Sequence, residues 1–241
     1  MNEILSCRNL VKSFKSNEVL KDINLTLRRG EIYVLVGKNG AGKSTLFKIL
    51  TGLMKATMGE IELLGKNILD YKNEYFKELG LNINEPKFYE HLTARENLEI
   101  HCDYMNCRKD KIRFSLENVG LSYSNKTITK NYSLGMKQRL SLARALIHEP
   151  KLLIIDEPLN GLDPKGIKDL RYLFKEIRKK GVTILMSSHI LAEVEKIADR
   201  VGILNNGNLI LEDTIENLLR VNGEKFEDYI IEKMEKNYEV Y

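Results

Sequence analysis

One stretch constrains this chain more than any other. Gly37-Lys38-Asn39-Gly40-Ala41-Gly42-Lys43-Ser44 follows directly on the apolar run at residues 32–36. Its spacing is G-x-x-x-x-G-K-S, the pattern of a loop that cradles phosphate. The glycines let the backbone curl so that its N–H groups point inward at anionic oxygens. A helix that starts inside the loop adds partial positive charge. Lys43 is placed to reach the outer phosphates, and Ser44, followed by Thr45, offers hydroxyl oxygen to Mg²⁺. The plain alternative is a glycine-rich strand-to-helix turn with no ligand. Lys43 and Ser44, both in register, argue against it. A loop of this kind needs a strand on one side and a helix on the other, so the fold must be α/β.

The rest of the chain agrees with that demand. Residues 31–36, 59–64, 151–155 and 182–187 are short apolar runs with strand character. Residues 43–51, 94–105, 134–148 and 165–180 carry helical periodicity. Alternation of the two predicts a largely parallel sheet with helices on its faces. Residues from about Glu85 to Leu134 lack a convincing strand and predict an inserted helical lobe. Asn205-Asn206-Gly207-Asn208 lies between two apolar runs and predicts a hairpin. Residues 214–236 predict two amphipathic helices, a tail beyond a domain that spans 1–213.

Composition narrows the function classes. With 241 residues, 43% of them hydrophobic, the chain can bury a sizeable core. The formal net charge of +4 is too mild for a nucleic-acid binder, which concentrates basic charge on one face. The basic runs at 108–113 and 175–180 sit in helical patterns and predict solvated faces. No apolar run approaches the roughly 20 residues that span a bilayer, so any membrane anchor must come from another chain. His101 and Cys102 are adjacent but fall short of the four ligands of a structural zinc. Three cysteines, Cys7, Cys102 and Cys107, form no CxxC pair and are expected to be idle thiols in a reducing compartment.

A second motif supplies chemistry. The apolar run 151–155 ends in Asp156-Glu157. A carboxylate at a strand tip can hold Mg²⁺ through water, and its neighbour can accept a proton from an attacking water. A polar strand cap is the plain alternative. A GTPase would also need an N-K-x-D base reader. Asn125-Lys126 is followed by Thr127 and Ile128, so that class is excluded.

These residues, with others in the same order, resemble the nucleotide-binding domains of ABC transporters over nearly the whole chain. Phe14 stands where that family stacks an aromatic on adenine. Tyr132-Ser133-Leu134-Gly135-Met136 stands where its signature reads L-S-G-G-Q, and Lys137-Gln138-Arg139 follows as in the family. Asn160-Gly161-Leu162-Asp163 resembles its D-loop, and His189 its switch histidine. The resemblance implies a P-loop ATPase core with an N-terminal antiparallel β subdomain and an inserted helical subdomain. It implies ATP and Mg²⁺ as ligands: Gly37 to Thr45 on the phosphates, Ser44, Asp156 and Asn84 toward the metal, and Glu157, His189 and Asn84 in catalysis. It further implies two such chains sandwiching two ATP molecules head to tail. In that sandwich Ser133 and Gly135 of one chain face the phosphate loop of the other, and Asp163 of the D-loop joins the nucleotide-binding residues.

The sequence departs from the family at two places. Leu134 and Met136 replace a glycine and the glutamine of the signature. Asn84 stands where the family has a glutamine that contacts Mg²⁺ or water and couples to the permease. The stretch 84–98 and the Tyr-Ser-Leu-Gly-Met signature resemble the bacitracin- and lantibiotic-type efflux branch, whose permeases are separate chains. That implies a peripheral subunit on the cytoplasmic face of the membrane, powering export of a peptide antibiotic or another amphipathic compound. Two other readings compete: an ABC-type ATPase acting on ribosomes or nucleic acid, and a catalytically weak regulatory ATP binder. The first usually carries tandem nucleotide domains or a long coiled-coil insertion, and this chain has neither.

Overall fold

The computed structural model describes residues 2–70, 72–83 and 86–235. In chain order, β1 (Glu3–Phe14) and β2 (Asn17–Arg28) form a long hairpin. β3 (Ile32–Val36) leads to α1 (Lys43–Leu50), then β4 (Met58–Leu63), β5 (Lys66–Asn67) and β6 (Leu79–Asn82). Helices α2 (Ala94–Met105), α3 (Ile112–Asn118) and α4 (Leu134–Leu146) precede β7 (Leu152–Ile155). α5 (Pro164–Lys179), β8 (Thr183–Ser188), α6 (Leu191–Ile197), β9 (Arg200–Asn205) and β10 (Asn208–Thr214) follow. α7 (Ile215–Asn222) and α8 (Phe226–Glu235) close the described chain.

Among the described residues the strands make two sheets. One has the order β2-β1-β4-β5 and is antiparallel. The other has the order β10-β9-β3-β8-β7-β6, parallel except for the β9–β10 hairpin. The central strands are buried on both faces, so each reads as a continuous apolar run. Alternate residues nevertheless enter different cores. Ile32, Val34 and Val36 of β3 join the core under the helices. Tyr33 and Leu35 join the one shared with the antiparallel sheet and α1. β7 divides in the same way, Leu153 and Ile155 to one side and Leu152 and Ile154 to the other. Full burial of such a side chain is worth roughly 1.5–3 kcal/mol. The sheet is therefore a rigid base for the loops at its C-terminal edge.

The expected α/β architecture is present, with differences in detail. The run at 59–64 pairs with β1 in the antiparallel sheet, not in the parallel one. β1 and β2 escape period-two reading because their pairing contains register shifts and left-handed residues at Asn9, Lys15 and Asp22. β6 is only four residues and carries Gly80 and Asn82, both poor strand formers. Residues 86–133 hold α2 and α3 with long connections, and one isolated bridge between Thr93 and Ile128. α2 starts at a capping box: Thr93 accepts from the Glu96 N–H, and Glu96 accepts from that of Thr93. In the tail, Ile215, Leu218, Phe226 and Ile230 are buried in the same core as the central strands. Among the described residues no helix is long and apolar enough to cross a membrane.

Candidate active site

Parallel strands send their C-terminal ends to one edge of a sheet, where ligands of open α/β folds bind. Here β3, β8 and β7 lie side by side in that order, and the loops leaving them converge. The loop after β3 holds Gly37 to Gly42. A Cβ on Gly37 would come within 2.4 Å of the Leu204 carbonyl oxygen on β9. Gly42 has φ +109°, and a side chain there would meet Leu20 at 2.8 Å. The sequence needs glycine at both positions to pack this loop between β9 and β2. α1 then begins at Lys43 with its first N–H groups facing the loop.

Lys43 is buried. Its Nζ donates to the Gly37 carbonyl at 2.6 Å and lies 3.7 Å from Glu157 Oε1. Ser44 Oγ donates to Asp156 Oδ2 at 2.6 Å, joining the loop to the acidic pair. Glu157 takes the left-handed φ of +47°, unusual for a residue with a side chain. Such a conformation costs roughly 1–3 kcal/mol and persists only where the surroundings impose it. Ser187 on β8 does so in part: its Oγ accepts from the Glu157 N–H at 2.8 Å and donates to Asp156 Oδ1 at 2.6 Å. His189, the residue immediately after β8, lies with Nδ1 2.8 Å from Glu157 Oε2. A cleft lined by Val19, Lys38 to Gly40, Gly42 to Thr45, Asp156 and Glu157 opens above this cluster.

Other expected residues stand apart. Phe14 is exposed on the β1–β2 hairpin, with Lys12 Nζ 4.8 Å from its ring centre. It does not line the cleft; Val19 on the same hairpin does. Ser133 caps α4, accepting from the Met136 N–H at 3.3 Å. Asp163 caps α5, accepting from the Gly166 N–H at 2.9 Å. Gly135 and Gly161 pack against each other's neighbours: a Cβ on Gly161 would meet Leu134 at 2.8 Å, and one on Gly135 would meet Leu162 at 3.6 Å. None of Ser133, Gly135 or Asp163 lines the cleft. Asn84 lies outside the described residues.

Two residues that motif reading passed over belong to the cluster. Ser187 is one. Asn82 is the other: its carbonyl accepts from the Asp156 N–H at 2.9 Å, and its buried amide donates to Gln138 on α4 at 3.3 Å. Ser187 could have been suspected from its place on a strand beside His189. Asn82 carried no signal, because β6 itself was not legible.

A phosphate loop and an acidic strand end line one cleft, a histidine touches the acid, and the ABC transporter family model matches residues 20–160. The chain belongs to the ABC transporter family. It is an ATP-binding, ATP-hydrolysing subunit of such a transporter, and the ribosome- or nucleic-acid-directed reading gives way. It is 40% identical to the bacitracin transport ATP-binding protein BcrA of Bacillus licheniformis, over 100% of this chain and 81% of that protein. It is 43% identical to the lantibiotic transport ATP-binding protein SrtF of Streptococcus pyogenes, over 89% of this chain and 94% of that one. A solved structure of an ATP-binding subunit of an ABC transporter superimposes with a TM-score of 0.86 at 32% identity, covering 97% of this chain and 100% of the other. In this ABC subunit the parallel sheet therefore positions the phosphate loop and the acidic pair.

Proposed function

We propose that this subunit drives export of a peptide antibiotic, or a similar amphipathic compound, through a separate permease at the inner face of the cell membrane. The names of the two relatives, bacitracin and lantibiotic transport proteins, support the substrate class. The observation that carries the chemistry is the contact of Glu157 with both Lys43 and His189 at the cleft.

The sequence of events follows from those contacts. ATP enters with its phosphates against the Gly37–Gly42 backbone. Lys43 exchanges its bond to the Gly37 carbonyl for the β- and γ-phosphates. Glu157 accepts a proton from the attacking water, and His189 orients the Glu157 carboxylate through its 2.8 Å contact. Ser187 holds Asp156 and the Glu157 backbone in place. The donor set suits Mg²⁺: Ser44 Oγ and Asp156 Oδ2 are hard oxygens already 2.6 Å apart, and Mg²⁺ uses one or two protein oxygens plus phosphate. Bound there, Mg²⁺ would neutralise charge on the β- and γ-oxygens. Ser133, Gly135 and Asp163 act on the nucleotide held by a second copy of the chain, so ATP joins the two. Asn84 couples this chemistry to the permease.

The test is ATP turnover with and without the reconstituted permease, beside bacitracin and lantibiotic resistance of cells that express the pair. Permease-stimulated turnover with raised resistance is expected. Turnover indifferent to the permease, with unchanged resistance, would overturn the export reading.

A further inference from the structure

The two cysteines of the helical lobe are not idle neighbours. Cys107 Sγ lies 2.9 Å from Cys102 Sγ. Helix ending dictates this. Asn106 stops α2 in the left-handed conformation, φ 52° and ψ 44°, and both its N–H and that of Cys107 return to the Cys102 carbonyl. In such a stop the residue two past the cap returns over the last turn, and its side chain meets that of the residue whose carbonyl it caps. Most chains place apolar groups there. This one places two thiols.

The pair is also asymmetric. Cys102 is 1% exposed and packed in the core with Leu98 and Leu116. Its thiol is pushed up to about 12, first by burial and then by the hydrogen bond and charge of Cys107. Cys107 is half-buried at the lobe surface. A reagent therefore reaches Cys107 first, and Cys102 can only respond to what Cys107 has become. The third thiol, Cys7, is 2% exposed in β1 and is likewise pushed up to about 12 by burial, so it serves as an unreactive reference.

We propose that Cys102 and Cys107 are a reversible dithiol–disulfide pair, with Cys107 the attacking thiol, Cys102 the resolving thiol and a small-molecule disulfide the oxidant. In the first step the Cys107 thiolate attacks one sulfur of R–S–S–R. A Cys107–S–S–R bond forms and RS⁻ leaves. In the second step Cys102 gives up its proton and attacks the Cys107 sulfur. The Cys102–Cys107 bond forms and the second RS⁻ leaves. The protein loses two electrons and two protons, and the small disulfide becomes two thiols. Closure needs the sulfurs to approach from 2.9 Å to roughly 2.05 Å, a local movement. The bond pins the end of α2 to the loop before α3. It places the redox state of the surroundings in contact with the lobe that packs against α4. Intracellular disulfides of this kind are typically transient and sensory.

The experiment incubates the folded protein with oxidised glutathione, quenches with acid, and counts and maps thiols in denaturant. Free thiols are expected to fall from three to one. A single peptide linkage should join Cys102 to Cys107 within one chain, with no retained glutathione, and dithiothreitol should restore all three. The variant Cys102→Ala should instead keep glutathione on Cys107, and Cys107→Ser should leave Cys102 unmodified. The wild-type map decides by itself if a variant fails to fold. A persistent glutathione adduct on wild-type Cys107, a disulfide between chains, or three thiols remaining would each overturn the proposal.

Discussion

The cleft side of the molecule and the helix-cap side both carry expected functional residues but are built differently. At the cleft, Lys43, Ser44, Asp156, Glu157 and His189 already touch one another, and Ser187 ties two of them to the sheet. On the other side, the side chains of Ser133 and Asp163 hydrogen-bond to the first turns of their own helices. The first group is preorganised by contacts from three strands. The second is a pair of helix N-termini whose flanking residues pack on each other, Gly161 against Leu134 and Gly135 against Leu162. In the proposed function the first group carries the chemistry, and the second closes over a second copy's nucleotide.

Substitutions on the two sides should fail differently. The largest effect belongs to Glu157→Gln, which keeps the shape and removes the proton acceptor. Turnover should fall by roughly 10²–10⁴ while nucleotide affinity stays close to wild type. Equal losses in both would mean Glu157 serves binding instead. Lys43→Ala should weaken ATP binding by about 10- to 100-fold, since charge-assisted hydrogen bonds are worth about 1.5–3 kcal/mol. Calorimetric titration checks it, and wild-type affinity would remove Lys43 from the phosphate site. Ser187→Ala should cost about 30-fold in turnover with little change in affinity, because it frees Asp156 and the strained Glu157 backbone together; two bonds of about 1 kcal/mol each are lost. On the other side, Ser133→Ala should leave ATP binding by the single chain intact. It should lower stability by only about 1 kcal/mol in urea titration, the worth of a helix cap. Its functional cost should appear only in ATP-dependent association.

The smallest effect concerns a histidine pair between α2 and the end of α4. His101 on α2 and His148 after α4 lie with ring centres 6.0 Å apart, and His101 Nε2 and His148 Nδ1 are buried without partners. Burial, then the repulsion a protonated His101 would meet from His148 and Arg144, lowers His101 from 6.5 to about 4; burial lowers His148 too. A depressed histidine stays neutral in the fold while the unfolded chain takes up a proton. Stability should therefore decline as pH falls from 6.5 toward 4. Urea midpoints across that window should fall less steeply in His101→Leu than in wild type. Parallel slopes would place the pH dependence elsewhere.

How much of this was legible in the sequence depends on the kind of signal. The phosphate loop, the strand into Asp156 and the amphipathic α5 were readable because each imposes its own local pattern. β1 and β2 were not, since bulges at Asn9 and Asp22 break the alternation that marks a strand. Ser187 and Asn82 were missed because their roles come from strand order: β8 lies between β3 and β7, and β6 lies beside β7. No run of residues encodes that adjacency. The tail was readable as two helices but not as core. Phe226 and Ile230 have apolar neighbours only once β9 stands behind them.

The division of the site between two chains is most directly tested by the mass of Glu157→Gln in solution. Light scattering with MgATP should show a particle of twice 27.8 kDa, returning to a single chain when ATP is withdrawn. Adding Ser133→Arg should abolish that dimer while each chain still binds ATP. A Glu157→Gln protein that binds MgATP and remains at 27.8 kDa would contradict the account.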